Sequence, residues 1–161
     1  MPSSPPESAL DWPPGTSSPE QVLARYQQAV IDRNADGLAE LYAPHAVHEI
    51  PFVFPGMPSR FQGVEQVRAA YGAAWAATDA RPQAVRITAL HRTEDPAVVV
   101  VEQVVAGVNA SSAEPFELPG VLVLRVEGGL ITHVRDYMDA LAVARAAGRL
   151  PSLVETLSSD T

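Results

Sequence analysis

The stretch PFELPGVLVLRVEGGLITHVRDYMD, residues 115–139, decides the fold. It contains two runs rich in apolar and β-branched residues, one on each side of Gly128-Gly129. A Gly-Gly pair between two such runs is typical of a β-hairpin, because glycine readily adopts the positive φ angles that a two-residue turn requires. The stretch therefore predicts two long antiparallel strands, over 115–127 and 130–139.

Other strands and helices are predicted upstream and downstream of this hairpin. β-rich runs cover 83–91 and 97–109, and a shorter alternating run covers 46–52. Ser18-Pro19-Glu20 combines a capping side chain, a proline at the first helical position and an acid in the first turn, which together start a helix. The predicted order is ααβαββββα, an α+β fold with helices against a mostly antiparallel sheet. The other helical patterns lie at 38–42, 63–78 and 140–147, the last ending at Gly148.

The chain is predicted to comprise a lead, one domain and a tail. Residues 1–17 hold five of the fifteen prolines and many serines, a composition that favours disorder. We assign 18–148 to a single domain and 149–161 to a C-terminal tail. The sequence shows neither a signal peptide nor an apolar run of about 18 residues, so we expect a cytoplasmic protein.

Charge and composition exclude several classes of function. The chain has 19 acidic and 11 basic residues, a formal charge of −8 and no long basic cluster, so nucleic acid and anionic membranes are poor partners. It contains no cysteine, which excludes disulfides, thiolate nucleophiles and sulfur-bound metal sites. A hydrophobic content of 47% is enough for one core around a pocket for a small apolar ligand.

Alternation along 130–139 predicts which side chains face the interior. Leu130, Thr132, Val134, Asp136 and Met138 form the inward set, and the residues between them point outward. The outward face is too apolar for a monomer, so we expect a homodimer. Its apolar residues are Val121, Val123, Ile131 and part of the run Val98–Val101.

Both ends of the predicted domain resemble known families. The opening segment 21–51, with LYAPHAV at 41–47, and the closing strands with Pro115–Gly120 and Arg135–Asp139 resemble SnoaL-like and ketosteroid-isomerase-like proteins and the related limonene epoxide hydrolases. The resemblance spans 19–147 and implies the NTF2-like cone, a curved sheet with three helices on its concave side. Proteins of this fold include isomerases, polyketide cyclases, epoxide hydrolases, dehydratases and binding proteins, so the fold leaves the reaction open.

Asp136 is the first candidate catalytic residue. By resemblance to the epoxide hydrolases, it matches the aspartate that acts as an acid on the substrate oxygen. A carboxyl among Val134, Leu122 and Leu124 should have a raised pKa and keep its proton near neutrality. The alternative is a structural carboxylate that caps the terminal helix or pairs with Arg135.

His48 is the candidate base. A neutral imidazole that faces Asp136 could carry a proton across the pocket, because histidine titrates near neutrality. The alternative is a histidine bonded to a backbone carbonyl at the sheet edge. A metal site with His45 and Glu49 is not predicted, since these spacings on a strand put side chains on opposite faces.

One further position matches the related families, and three positions depart from their patterns. By resemblance to the isomerases, Tyr26 matches a tyrosine that donates to an oxyanion. The alternative, which its place on the apolar face of the helix favours, is a core tyrosine bonded to a neighbour. The catalytic aspartate of the isomerases falls on Ile50. The central arginine and second aspartate of the epoxide hydrolases fall on Gln103 and Val105. Gln103 could orient a water or a carbonyl, but the water-activating triad is absent. Other expected substrate-binding residues are Phe54, Tyr71, Trp75, Leu118 and Val134.

These residues favour proton transfer without a cofactor or a metal. We expect isomerisation, cyclisation or intramolecular epoxide opening of a small apolar oxygenated molecule, of the polyketide or terpenoid kind. Two alternatives remain open: an epoxide hydrolase with a rearranged site, and a non-catalytic ligand-binding or dimerisation domain.

Overall fold

The computed structural model describes residues 16–54 and 56–159. Apart from Thr16 and Ser17, the predicted disordered lead lies outside the described residues. The helices are α1 (Pro19–Asp32), α2 (Ala35–Ala39), α3 (Val64–Ala76), α4 (Ala140–Ala146) and α5 (Leu150–Ser159). The strands are β1 (Tyr42–Glu49), β2 (Arg60–Gln62), β3 (Ala80–Arg92), β4 (Val98–Asn109), β5 (Pro115–Glu127) and β6 (Leu130–Met138).

The strands form one sheet in the order β2-β1-β6-β5-β4-β3. Only β1 and β6 run parallel; the other described neighbours are antiparallel. One face of this curved sheet packs against α1, α2 and α3, and the core lies between them. The predicted α+β fold is therefore confirmed. The largest fully buried side chains of the core include Leu23, Leu38, Leu41, Val67, Val101, Leu122, Leu124 and Ile131.

Local sequence signals account for the start of α1 and for the β5–β6 hairpin. Ser18 caps α1, and the Gln21 side chain accepts a hydrogen bond from the Ser18 backbone N–H, completing a capping box. Gly128 and Gly129 both adopt positive φ angles, 58° and 81°, as a type I′ turn requires. The hairpin predicted from the Gly-Gly pair is thus formed.

The predicted outward position of Ile131 is wrong. Ile131 pairs with Val126, and His133 pairs with the adjacent Arg125, so β6 carries one extra residue, Thr132, in a β-bulge. The bulge shifts the alternation by one position: Ile131 is fully buried, whereas Leu130 is 37% exposed. Beyond the bulge, the inward positions of Val134, Asp136 and Met138 are unaffected.

Three elements differ from the predicted order. The short strand β2 pairs with β1. The second helix ends at Ala39, so Tyr42 belongs to β1 instead of that helix. The predicted tail contains α5, whose residues Leu150, Leu153, Val154 and Leu157 have helical spacing. Among the described residues, the helices are too short or too polar to span a membrane.

Candidate active site

Asp136 lies on the inner face of β6, opposite Leu122 of β5. It forms no hydrogen bond or ion pair with any residue in the described part of the chain. Burial among apolar side chains raises its pKa from the ordinary 3.8 to about 7. In a large fraction of protein molecules, Asp136 therefore carries a proton at neutral pH. The residue keeps some contact with solvent.

Asp136 has neither of the two structural roles that the sequence left open, the cap of the terminal helix and the ion pair with Arg135. The cap of α4 is Asp139, whose Oδ1 accepts a hydrogen bond from the Ala142 N–H. Arg135 is exposed and alternates with Asp136 along the strand, so the two side chains point to opposite faces. Neither role explains why a carboxyl is buried at this position.

His48 is completely buried on β1, next to Val134 of the parallel strand β6. Its Nδ1 lies 2.8 Å from the Tyr42 phenol oxygen, and its Nε2 lies 3.3 Å from that of Tyr71. Burial, with a smaller effect from the charge of His133, lowers its pKa from 6.5 to about 4. His48 is therefore neutral at physiological pH and is bonded to tyrosines instead of a backbone carbonyl.

Tyr26 extends this cluster from α1, with its phenol oxygen 2.9 Å from that of Tyr71. We call Tyr42, His48, Tyr71 and Tyr26 the tyrosine–histidine chain. A neutral imidazole has one N–H and one acceptor nitrogen, so one neighbouring tyrosine donates to His48 and the other accepts. The three hydrogen bonds then run in one direction along the chain, and a side-chain hydrogen bond also links Tyr26 to Tyr42.

The tyrosines keep their protons. Burial raises the pKa of Tyr26, Tyr42 and Tyr71, and the Asp136 carboxylate raises each of them further. No direct hydrogen bond joins His48 to Asp136 in the described residues. The charge of Asp136 acts on all three tyrosines of the tyrosine–histidine chain, so the two groups are electrostatic neighbours.

Gln103 lies on the inner face of β4 and is 9% exposed. Its Oε1 accepts a hydrogen bond of 2.7 Å from Gln27 Nε2 of α1. On β5, the residue opposite Gln103 is Gly120, and on β6 the residue opposite Gly120 is Met138. Gln103 therefore belongs to a different part of the concave face from Asp136, which lies one row deeper.

Only some of the predicted substrate-binding residues lie beside the tyrosine–histidine chain. The Trp75 ring lies 5.1 Å from that of Tyr71, and Val134 is completely buried beside His48. Leu118 is half-buried on β5. Phe54 is half-buried in the loop after β1, with no ring contact to the cluster among the described residues.

Two polar residues of the site, Tyr42 and Gln27, are absent from the set that the sequence predicts. The spacing of Tyr42 from Leu38 and Leu41 predicts a helix, whereas Tyr42 is the first residue of β1. Gln27 follows Tyr26 directly, and neighbouring residues on a helix do not share one face. Gln27 is half-buried between the buried residues Tyr26 and Ala29 of α1, and its side chain is long enough to reach Gln103.

Glu49 and His133, outside the cluster, are partners of each other. Glu49 Oε2 lies 2.8 Å from His133 Nε2, and its Oε1 accepts from Arg60. No three such residues within 16–54 and 56–159 are arranged to hold a metal ion. A surface pocket of about 480 Å³ lies beside α4, lined by Leu141, Arg145 and other residues, and does not include Asp136 or His48.

Comparison with known proteins identifies relatives over most of the chain. The family model of the SnoaL-like domain matches residues 23–134. An uncharacterised PhzA/B-like protein of Pseudomonas aeruginosa is 28% identical over 133 residues, which cover 80% of this chain and 89% of that protein.

Solved structures share the fold at lower identity. A Bacillus subtilis protein provisionally assigned as an isomerase has a TM-score of 0.73 at 21% identity, over 81% of this chain and 93% of its own. A Pseudomonas putida protein provisionally assigned as a polyketide cyclase has 0.62 at 14%, over 81% and 98%. An LEH-like epoxide hydrolase of M. tuberculosis has 0.59 at 20%, over 89% and 99%. At these identities the likeness establishes the fold.

Proposed function

Since the chain belongs to the SnoaL-like family, we propose that its concave face is the active site of a cofactor-free acid/base enzyme. The substrate is a small, apolar, oxygenated molecule of the polyketide or terpenoid kind. One observation carries this proposal: Asp136 is an unpaired, largely buried carboxyl with a pKa of about 7. A general acid works best when its pKa lies near the working pH, because it then holds a proton and can release it.

Asp136 is the acid in this proposal. Its O–H donates to a carbonyl or epoxide oxygen of the substrate, and the resulting carboxylate is the base that takes a proton back. In an intramolecular epoxide opening, the proton moves to the epoxide oxygen while a substrate hydroxyl attacks carbon. The hydroxyl then loses its proton to the Asp136 carboxylate, so the enzyme returns to its starting state.

The tyrosine–histidine chain supports this chemistry. One of its tyrosine hydroxyls can turn to donate to the same substrate oxygen or to the Asp136 carboxylate, and burial strengthens such hydrogen bonds. His48 in its neutral form can reverse the direction of the chain, because its two nitrogens exchange donor and acceptor roles. His48 therefore acts through Tyr71, and its role is to set which hydroxyl donates.

The reaction is expected to use a nucleophile carried by the substrate. Hydrolysis needs a group that activates water, and the resemblance assigns the second aspartate of the epoxide hydrolases to Val105. The aspartate of the ketosteroid isomerases falls on Ile50, which is largely buried. Cyclisation or intramolecular epoxide opening requires only one acid/base group, and the provisional cyclase and isomerase assignments of proteins with this fold are compatible with it.

Turnover of three compounds tests the proposal: epoxylinalool, which can cyclise; limonene oxide, which can only be hydrolysed or rearranged; and a β,γ-unsaturated steroid ketone. The reactions are run in water that carries an oxygen isotope label, and the products are analysed by mass spectrometry. We expect cyclised epoxylinalool without label, and a loss of about 100-fold or more in Asp136→Asn. Asp139→Asn is the matched control, because asparagine also caps a helix.

Each alternative gives a distinct result. Label in the product of limonene oxide would indicate a hydrolase with a rearranged site. Binding of the compounds without turnover by the wild-type protein would indicate a non-catalytic ligand-binding domain. Equal turnover by the wild-type protein and Asp136→Asn would contradict the role of Asp136.

A further inference from the structure

Gln103 is a polar residue that follows two inward-facing valines on β4. Val99 and Val101 precede it on the same face and are buried in the core. A buried amide in such surroundings destabilises the fold unless its hydrogen-bonding groups find partners. Gln27 satisfies only one of these groups, the Oε1 oxygen.

The amide nitrogen of Gln103 has both of its N–H groups available. It makes no hydrogen bond with the described part of the chain. It is also not among the buried side-chain nitrogen and oxygen atoms that lack a partner in residues 16–54 and 56–159. The nitrogen therefore faces accessible space, and the bond from Gln27 fixes the orientation in which it does so.

Gly120 keeps the space beside this amide open. It faces Gln103 directly across the β4–β5 pair, so a side chain at this position would project from the same concave face. A Cβ at Gly120 would first meet backbone atoms of Tyr137 and Met138 on the adjacent strand, at 3.4 Å. The three nearest atoms are thus backbone atoms of the sheet, and none of them belongs to a helix or to Gln103.

The sheet register relates this amide to Asp136. Asp136 pairs with Leu122, two residues from Gly120 along β5, and β6 is two strands away from β4. A strand rise of about 3.3 Å and a strand spacing of about 4.8 Å separate the two backbones by roughly 12 Å. Both side chains point into the concave face, so their polar ends are closer than their backbones.

We propose that Gln103, oriented by Gln27, is a second anchoring point that selects substrates with two oxygen functions. One oxygen faces Asp136, and the other is a carbonyl or ether oxygen that accepts from Gln103 Nε2. Their separation within one molecule is roughly 7–10 Å, shorter than the backbone distance because of the curvature of the sheet. Gln103 is a specificity residue and Gln27 a positioning residue. The proposal rests on the proposed function only for the oxygen at Asp136.

Two probes that differ by one oxygen test the proposal without requiring turnover. para-Hydroxybenzylacetone carries a phenol and a ketone, and para-butylphenol has the same carbon skeleton without the ketone oxygen. The dissociation constant of each is measured by calorimetry, and the ratio of the two reports the contribution of the ketone. A change in pocket shape alone would alter both dissociation constants in the same direction and leave the ratio unchanged.

The variants are Gln103→Met, Gln27→Met and, as the matched control, Gln28→Met. Gln28 is exposed on the next position of α1, where it bonds Asp32. We expect the preference for the ketone to fall about 10-fold in Gln103→Met, the effect of one lost hydrogen bond to a buried amide. It should fall by a smaller factor in Gln27→Met and stay unchanged in Gln28→Met.

Gln27→Met carries the test if Gln103→Met does not fold, since Gln27 is only half-buried. An unchanged preference in Gln103→Met, or in Gln27→Met where that variant carries the test, would overturn the proposal. Absence of binding of both probes to the wild-type protein at millimolar concentration would also overturn it. A failure of the acid role would appear separately, as unaffected turnover in Asp136→Asn with the ketone preference intact.

Discussion

The phenol oxygens of Tyr26 and Tyr71 lie 2.9 Å apart, although the two residues are 45 positions apart in the sequence. Tyr26 comes from α1 and Tyr71 from α3, so this bond links two of the three helices that cover the concave face. Because Tyr71 also bonds His48, it is the central member of the tyrosine–histidine chain.

Tyr71→Phe should destabilise the fold. The substitution keeps the ring but removes the buried hydroxyl that bonds both Tyr26 and His48 Nε2, which costs about 1–3 kcal/mol. Tyr137→Phe is the control: Tyr137 has no hydrogen bond in the described part of the chain, and its ring contact with Phe52 is preserved. The free energy of unfolding is measured by urea denaturation, and equal effects of the two substitutions would contradict the account.

The stability of the protein should depend on pH through two opposing groups. Between about pH 4 and 7 the folded state keeps a proton on Asp136 that the unfolded state has released, so this group stabilises less as the pH rises. His48 acts in the opposite direction: between pH 6.5 and about 4 the unfolded state binds a proton that the folded state does not, so stability falls as the pH falls.

Single substitutions should reveal each of these contributions. In Asp136→Asn, the free energy of unfolding should rise with pH more steeply than in the wild-type protein, by up to about 1.4 kcal/mol per pH unit between pH 4.5 and 6.5. In His48→Gln the slope should change in the opposite sense. Urea denaturation across this range measures both slopes, and slopes that match the wild-type protein would contradict the assigned pKa shifts.

Asp136 and His48 should have coupled effects on turnover. If the tyrosine–histidine chain presents a hydroxyl to the oxygen that Asp136 protonates, either single substitution removes most of the benefit of the other group. We expect Asp136→Asn to lower epoxylinalool turnover about 100-fold or more, and the double variant with His48→Gln to be little slower. Losses that multiply would mean that the two residues act independently.

The outer face of the sheet should mediate a homodimer. Val100 and Val123 face each other across the β4–β5 pair on the side that the helices do not cover, and both are only half-buried. Light scattering at tens of micromolar should give twice the 17.1-kDa chain mass, and Val123→Lys should give the monomer. Ser112→Lys, in the exposed β4–β5 turn, is the control. A monomer mass for the wild-type protein would contradict the predicted homodimer.

The sequence was informative wherever one local signal sufficed. Gly128-Gly129 determined the hairpin, Ser18 determined the start of α1, and the alternation beyond Thr132 placed Asp136 on the inner face. The bulge at Thr132 was not predictable, because alternation assumes an unbroken ladder and nothing in the local sequence indicates an extra residue. Ile131 was therefore assigned to the wrong face.

Two of the remaining differences depend on tertiary contacts, and the third, helix α5, has a local signal in the sequence. The hydrogen bond between Gln27 and Gln103 joins residues 76 positions apart, so no local pattern reveals it. Tyr42 has helical spacing from its predecessors, yet pairing with β6 makes it part of a strand. The spacing of the apolar residues in α5, by contrast, was present in the sequence and indicates a helix.

An NMR titration of the Asp136 carboxyl carbon tests the central claim most directly. The resonance is assigned by its absence from Asp136→Asn, and its chemical shift is followed from pH 3 to 9. The account predicts a midpoint near pH 7, because burial without a charged partner disfavours the carboxylate. A midpoint at or below about 4, the ordinary range of an aspartate, would mean that Asp136 is ionised at neutral pH and cannot be the acid.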